Sequence, residues 1–100
     1  MRLLLDVVGF FGFGNQVTRE QLAAILWRYA KFNSVDVSIG DTTDIFGYAD
    51  VQQVRDYAVP AFQWVCGAKI VEGKPGGYLA PQGATTRAEM TAILSRFIQH

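Results

Sequence analysis

One segment of this sequence occurs twice, and the duplication constrains the fold more than any other feature. When the two copies are aligned, residues 17–31 fall on residues 85–99 without a gap. The identical pairs are Thr18/Thr86, Arg19/Arg87, Ala24/Ala92, Ile25/Ile93, Leu26/Leu94 and Arg28/Arg96. The alignment continues upstream as far as Gly9, which falls on Gly77. The chain is therefore predicted to use one structural unit twice.

The duplicated segment is predicted to be a helix with a capped start. Thr18-Arg-Glu-Gln21 and Thr86-Arg-Ala-Glu89 both fit the capping box, in which the threonine and the third helical residue each accept the other's backbone N–H. Apolar residues follow at helical spacing in both copies, so each helix has one face to bury. These residues are Leu22, Ile25, Leu26 and Tyr29 in the first copy and Met90, Ile93, Leu94 and Phe97 in the second.

The segment between the copies predicts one more helix and much irregular structure. The helix is expected over residues 57–66, with Pro60 in its first turn, and Asp50 is expected to cap a short turn before it. Residues 34–47 have no helical period and are predicted to be a solvated acidic linker, because the spacing of Asp41 and Asp44 matches no calcium loop. The predicted fold is all-α, with two or three principal helices joined by long irregular loops.

Turn residues dominate the stretch that follows the predicted helix over residues 57–66. Gly67 is expected to end that helix, and the glycine-rich segment 73–77 is predicted to be a turn that leads into an extended segment over residues 78–81.

Composition excludes several classes of function. Nine basic residues balance nine acidic ones, so the chain lacks the positive field that attracts nucleic acid or an anionic membrane. Cys66 is the only cysteine and His100 the only histidine, which excludes an internal disulfide and argues against a zinc site or a nucleophile–histidine pair. Cys66 lies among apolar residues and is predicted to be a buried, unreactive thiol. We predict no enzyme, no cofactor and no metal site.

The N-terminal segment superficially resembles a secretory signal. Asp6 interrupts the apolar run of residues 1–14, and no small-residue cleavage site follows it. The segment is therefore predicted to be part of the fold.

Five short motifs occur in a fixed order in the second half of the chain. They are Tyr48-Ala-Asp50-Val51, Tyr57-Ala58, Ile70-Val71-x-Gly73, Gly77-Tyr-Leu79-Ala-Pro81 and Thr86-Arg-Ala-Glu89. In order and spacing they resemble the S-layer homology domain, a bacterial module that usually occurs in tandem copies. The resemblance implies a partial repeat over residues 1–33, the linker over 34–47 and a nearly complete repeat over 48–100, all within one compact domain.

Three departures from the family pattern affect these expectations. Lys69 stands where the family has glycine, Phe13 replaces a proline, and Glu20-Gln21 replaces Ala-Glu. The first repeat also lacks its opening helix. Its remaining helix therefore needs another cover for its apolar face, and we expect either residues 57–66 or a second chain to supply it.

The resemblance implies a function outside the cell, at the bacterial surface or in the cell wall. Members of the family anchor proteins non-covalently by binding secondary cell-wall polysaccharide, often through a pyruvate ketal, in grooves between repeats. The N–H groups at a helix N-terminus and an adjacent arginine suit such a carboxylate. The candidate ligand-binding residues are Arg87, Thr86, Glu89, Arg19, Lys74, Gly77, Tyr78 and Trp64.

Some of these residues also have a structural interpretation. Trp64 and Tyr78 could stack on a sugar, although a tryptophan in this context is more typical of the core. Arg28 and Arg96 are expected to complement the helix C-terminal dipoles rather than bind a ligand. The alternative function is a protein-interaction or structural module, whose degenerate repeat mediates homo-oligomerisation instead of glycan binding.

Overall fold

The structure, a computed structural model, describes residues 17–99, so the predictions for residues 1–16 and for His100 lie outside the described residues. Three α-helices account for most of the regular structure: α1 (Arg19–Phe32), α2 (Val59–Gly67) and α3 (Arg87–Gln99). Short 3-10 helices cover Ser38–Thr42, Val51–Gln53 and Asp56–Ala58. Extended pairing within residues 17–99 is confined to two isolated bridges, Thr18 with Ala84 and Lys74 with Tyr78. The predicted all-α class is confirmed.

Both predicted capping boxes are present. The Thr18 hydroxyl accepts from the Gln21 N–H at 3.1 Å, and the Gln21 side chain accepts from the Thr18 N–H at 3.0 Å. In the second copy the Thr86 hydroxyl accepts from the Glu89 N–H at 3.1 Å, and Glu89 accepts from the Thr86 N–H at 3.3 Å. The two copies therefore begin their helices in the same way.

The core lies between α1 and α2. Helix α1 buries one continuous face of small and branched side chains, and α2 brings two large aromatic residues to the same region. The buried apolar residues of the two helices are Leu22, Ala23, Ala24, Leu26, Ala30, Ala61, Phe62, Trp64 and Val65. The apolar face of α1 is thus covered from within the chain by α2, which is the first of the two covers that the sequence analysis left open.

Helix α2 ends in a Schellman motif built on a residue other than glycine. Its last residue is Gly67, and the N–H groups of Lys69 and Ile70 donate back to the carbonyls of Cys66 and Val65 at 3.1 and 2.8 Å. Lys69 occupies the left-handed position with φ +61°. The helix ends at Gly67, as the sequence predicted. The left-handed position is nevertheless taken by Lys69, where the family pattern has glycine.

Replacing Lys69 with glycine is expected to stabilise the fold. A side chain in the left-handed region costs about 1–2 kcal/mol, and glycine removes this cost. Glycine also loses more conformational entropy on folding, which offsets part of the gain, so we expect a net stabilisation of about 0.5–1 kcal/mol. The measurement is the urea midpoint of unfolding. Lys69→Ala is the matched control, since it removes the charge and keeps the strain. A Gly variant no more stable than the Ala variant would contradict the prediction.

Most residues of the segment 34–47 are exposed, as expected of a solvated linker, but the segment is anchored to the core at two points. The 3-10 helix Ser38–Thr42 packs against α2, and a Cβ on Gly40 would lie only 3.1 Å from the backbone nitrogen of Trp64. Ile45 is fully buried. Close backbone approach at Gly40 and one apolar anchor fix a segment whose composition alone resembles a linker.

Asp50 is buried and connects two distant parts of the second unit, as we call the predicted repeat over residues 48–100. Its two carboxylate oxygens accept from the N–H groups of Leu79 and Ala80, both at 2.8 Å. It makes no side-chain cap bond to the 3-10 helix Val51–Gln53, so the predicted cap is wrong. Ala80 has φ +52°, and the extended segment predicted over residues 78–81 therefore ends at Leu79.

Candidate functional site

A cavity of about 240 Å³ lies where the start of α1 meets the second unit. Its walls come from α1, from the loop over residues 72–75 and from one face of α3. The lining residues are Arg19, Glu72, Gly73, Lys74, Pro75, Glu89, Ala92, Ile93 and Arg96. Three cationic and two acidic side chains thus converge on a wall that is otherwise small or apolar.

The loop owes its shape to a proline–glycine turn. Gly77 N–H donates to the Lys74 carbonyl at 3.1 Å, and Lys74 N–H donates to the Tyr78 carbonyl at 2.7 Å. Proline fixes φ at Pro75, and Gly76 adopts φ +92°, as a type II turn requires. The turn that the sequence predicted therefore exists, and it holds Lys74 within reach of α3.

Arg19 joins the two units from a buried position, with 6% of its surface exposed. Its Nε donates to the Leu79 carbonyl at 2.7 Å, and one terminal nitrogen donates to the Glu72 carbonyl at 2.8 Å. The other terminal nitrogen lies 3.2 Å from Glu89 Oε2. The guanidinium satisfies two backbone carbonyls of the second unit and one carboxylate of α3.

Glu89 is the electrostatic centre of the cavity. Its Oε2 lies 2.9 Å from Lys74 Nζ and 3.2 Å from Arg19, while Oε1 accepts from Thr86 N–H. The bond from Lys74, followed by those from Thr86, outweighs the opposing effect of burial and lowers the pKa of Glu89 to about 2. Glu89 is therefore ionised throughout the neutral range.

The first turn of α1 does not offer the free N–H groups that the sequence analysis assigned to a ligand. Arg19 N–H donates to the Gly83 carbonyl and Glu20 N–H to the Pro81 carbonyl, both at 3.0 Å. The next two amides are bonded to Thr18. Carbonyls of the second unit take the place that an anion would need at this helix end.

Three of the eight predicted site residues, Arg19, Lys74 and Glu89, line the cavity together. Thr86 and Arg87 lie at the surface at the start of α3, outside the cavity lining. Tyr78 follows Gly77 in the sequence and is 48% exposed, and its ring lies over Gly76.

Trp64 is the one predicted site residue that the structure buries completely. It contacts Phe97 edge-on, with ring centroids 6.1 Å apart. Because no part of the indole reaches the surface, Trp64 is a core residue and offers no face to a sugar.

Arg96 is the main cavity residue that the sequence analysis missed. It was expected to complement the end of its own helix, but it donates to the Ile70 carbonyl at 3.3 Å and lines the cavity. Its equivalent in α1, Arg28, is exposed and does not line the cavity. The signal was available, since Glu89, Ala92, Ile93 and Arg96 follow helical spacing along one face.

Cys66 lies outside the site and is unreactive at neutral pH. Burial raises the pKa of its thiol to about 11, so the thiolate is scarce. Burial also raises the pKa of Tyr48, which lies beside it. No three His, Cys, Asp or Glu side chains of residues 17–99 are grouped so that they could hold a metal ion. Within the same range no helix has the length and apolar surface needed to cross a membrane.

The fold and the cavity define a class of protein, a small helical module whose helices α1 and α3 begin with the same capping box and both line one cavity. The S-layer homology domain model matches residues 47–91, and over this segment the chain is similar to that family. The chain is 33% identical over 82 residues to an amylopullulanase of Thermoanaerobacterium thermosulfurigenes, covering 80% of the chain and 4% of that much longer protein. No solved structure matches the chain.

The family has a known general role. The S-layer homology domain is a non-catalytic module associated with the bacterial cell surface and known for anchoring to the cell wall.

Proposed function

We propose that this module binds an acidic secondary cell-wall polysaccharide in the cavity between its two units and so attaches a protein to the bacterial wall. The observation that supports this most is the convergence of Arg19, Lys74 and Arg96 on one cavity. Arginine and lysine are the side chains best suited to a carboxylate, such as that of a pyruvate ketal. The proposed partner is a wall glycan linked to peptidoglycan.

The size of the cavity limits what it can hold. At about 240 Å³ it is smaller than the ~300–1,000 Å³ of most small-molecule sites. It therefore suits one acidic sugar of a longer polymer, with the remainder of the chain running over the surface. Tyr78, half exposed beyond the turn that carries Lys74, lies where a neighbouring sugar ring could stack on it.

A sedimentation assay with purified peptidoglycan-linked wall polymer tests the proposal. Lys74→Ala and Arg96→Ala should each reduce binding about tenfold or more, since a hydrogen bond to a charged group contributes about 1.5–3 kcal/mol. Arg28→Ala is the matched control for Arg96→Ala, because Arg28 has the equivalent position in α1 and lies outside the cavity. It should bind as the wild type does.

Arg87→Ala belongs in the same assay. The sequence analysis made Arg87 the leading contact, whereas the cavity favours Lys74 and Arg96. A loss of binding confined to Arg87→Ala would move the ligand to the start of α3. Failure of the wild type to sediment with wall polymer would refute the proposal.

One observation favours the alternative of a protein-interaction module. Leu26 and Ala30 of α1 are fully buried, whereas their equivalents in α3, Leu94 and Ile98, are partly exposed, Ile98 by 50%. Self-association through this face would appear as a concentration-dependent mass in light scattering, which Ile98→Ser would abolish. A monomer at high concentration would remove this alternative.

A further inference from the structure

The Glu89 carboxylate occupies the part of the cavity that an acidic ligand would need. Its Oε2 lies between Lys74 Nζ, at 2.9 Å, and Arg19, at 3.2 Å. Two of the three cationic side chains of the cavity thus already share one carboxylate of the protein itself as their partner. A ligand carboxylate can approach Lys74 closely only if this contact loosens.

Arg19 and Lys74 differ in how many other groups of the protein hold them in place. Arg19 is held by the carbonyls of Leu79 and Glu72 as well as by Glu89. Lys74 carries its ammonium group on a flexible side chain that is 40% exposed, and Glu89 is its partner in the cavity. Lys74 is therefore the group that can exchange Glu89 for a ligand, while Arg19 stays in place.

We propose that Glu89 is a specificity-determining counter-anion: it occupies the position of the ligand's carboxylate, and displacing it limits both the affinity and the charge selectivity of the cavity. The inference rests on the proposed function, since it concerns the same cavity and the same class of acidic glycan. It reverses the role predicted from the sequence, in which Glu89 contacts the ligand. The low pKa of Glu89 agrees with it, because a counter-anion must stay ionised.

The duplication supplies a variant that removes the charge and keeps the helix cap. The residue equivalent to Glu89 in α1 is Gln21, which completes its capping box by accepting from the Thr18 N–H at 3.0 Å. Glutamine therefore serves this position in the same protein. Gln21 is exposed and lies outside the cavity, so Gln21→Glu adds a carboxylate where it cannot compete with a ligand.

The experiment compares Glu89→Gln, Gln21→Glu and the double swap with the wild type. The double swap has the wild-type composition and net charge, which separates the local contact from the overall charge. Calorimetric titration uses two probes, the pyruvate ketal of a methyl hexopyranoside and the same glycoside without the ketal. A thermal melt of each variant verifies folding.

We expect Glu89→Gln and the double swap to bind the ketal at least tenfold more tightly than the wild type, and Gln21→Glu to match the wild type. Binding of the plain glycoside should change little. Unchanged or weaker ketal binding by Glu89→Gln, with the wild type still binding, would overturn the inference and leave the proposed function standing. If neither the wild type nor any variant binds the ketal, both are refuted.

Discussion

Replacing Arg19 with alanine is expected to lower the free energy of unfolding by about 3 kcal/mol, because a buried, hydrogen-bonded cation is removed and its partners are left behind. Arg19 satisfies the carbonyls of Leu79 and Glu72 and pairs with Glu89 across the junction of the two units. Without it the Leu79 carbonyl loses its donor in a region closed to water. The measurement is urea unfolding followed by circular dichroism.

The duplication provides the control for this prediction. Arg87 has the equivalent position in the second copy and an exposed side chain, so Arg87→Ala should cost about 0.5 kcal/mol or less. The loss in the free energy of unfolding for Arg19→Lys should fall between these two values. An ammonium group keeps the charge, but it lacks the planar guanidinium fork that contacts two carbonyls and a carboxylate at once. Equal losses in the free energy of unfolding for Arg19→Ala and Arg87→Ala would contradict the assignment of Arg19 as the residue that connects the two units.

Replacing Glu20 with alanine is expected to cost about 2–4 kcal/mol, although it makes the first copy more like the second. The fully buried Glu20 carboxylate accepts from Arg55 N–H at 2.7 Å, from the Arg55 guanidinium at 2.9 Å and from Gln82 at 3.2 Å. It also accepts from the Tyr57 hydroxyl at 3.3 Å. The better helix propensity of alanine returns at most about 0.7 kcal/mol.

Glu20→Gln isolates the contribution of the charge. The amide oxygen can still accept from the Arg55 backbone, so this variant should lose only about 1–2 kcal/mol in the same urea measurement. Ala88 is the equivalent position in the second copy and is exposed, so Ala88→Glu should have little effect there. An increase in stability for Glu20→Ala would show that the buried carboxylate network contributes nothing.

Local signals predicted the helices well. The capping boxes at Thr18 and Thr86, the apolar spacing after them and Pro60 near a helix start depend only on residues a few positions apart. The start of α2 was placed slightly early, because residues 56–58 form a 3-10 turn before the helix. Such errors are expected where two kinds of turn share similar dihedral angles.

Long-range contacts account for what the sequence did not reveal. Arg19 and Arg87 both follow the capping threonine of a duplicated helix, yet one is buried and the other exposed, because the second unit packs over the start of α1 only. Asp50 was expected to cap its own turn, but it binds the amides of Leu79 and Ala80. No local pattern tells which distant backbone a carboxylate or a guanidinium will meet.

If the cavity binds wall polymer as proposed, its position couples attachment to the resistance of the domain to mechanical unfolding. Arg19 and Glu89 are separated by 70 residues along the chain and meet at the cavity, so their ion pair closes a long intervening stretch. Mechanical tension on an attached protein would have to break the ion pair between Arg19 and Glu89 before that stretch could extend. Under flow, the strength of attachment and the force needed to unravel the domain would then depend on the same few ion pairs.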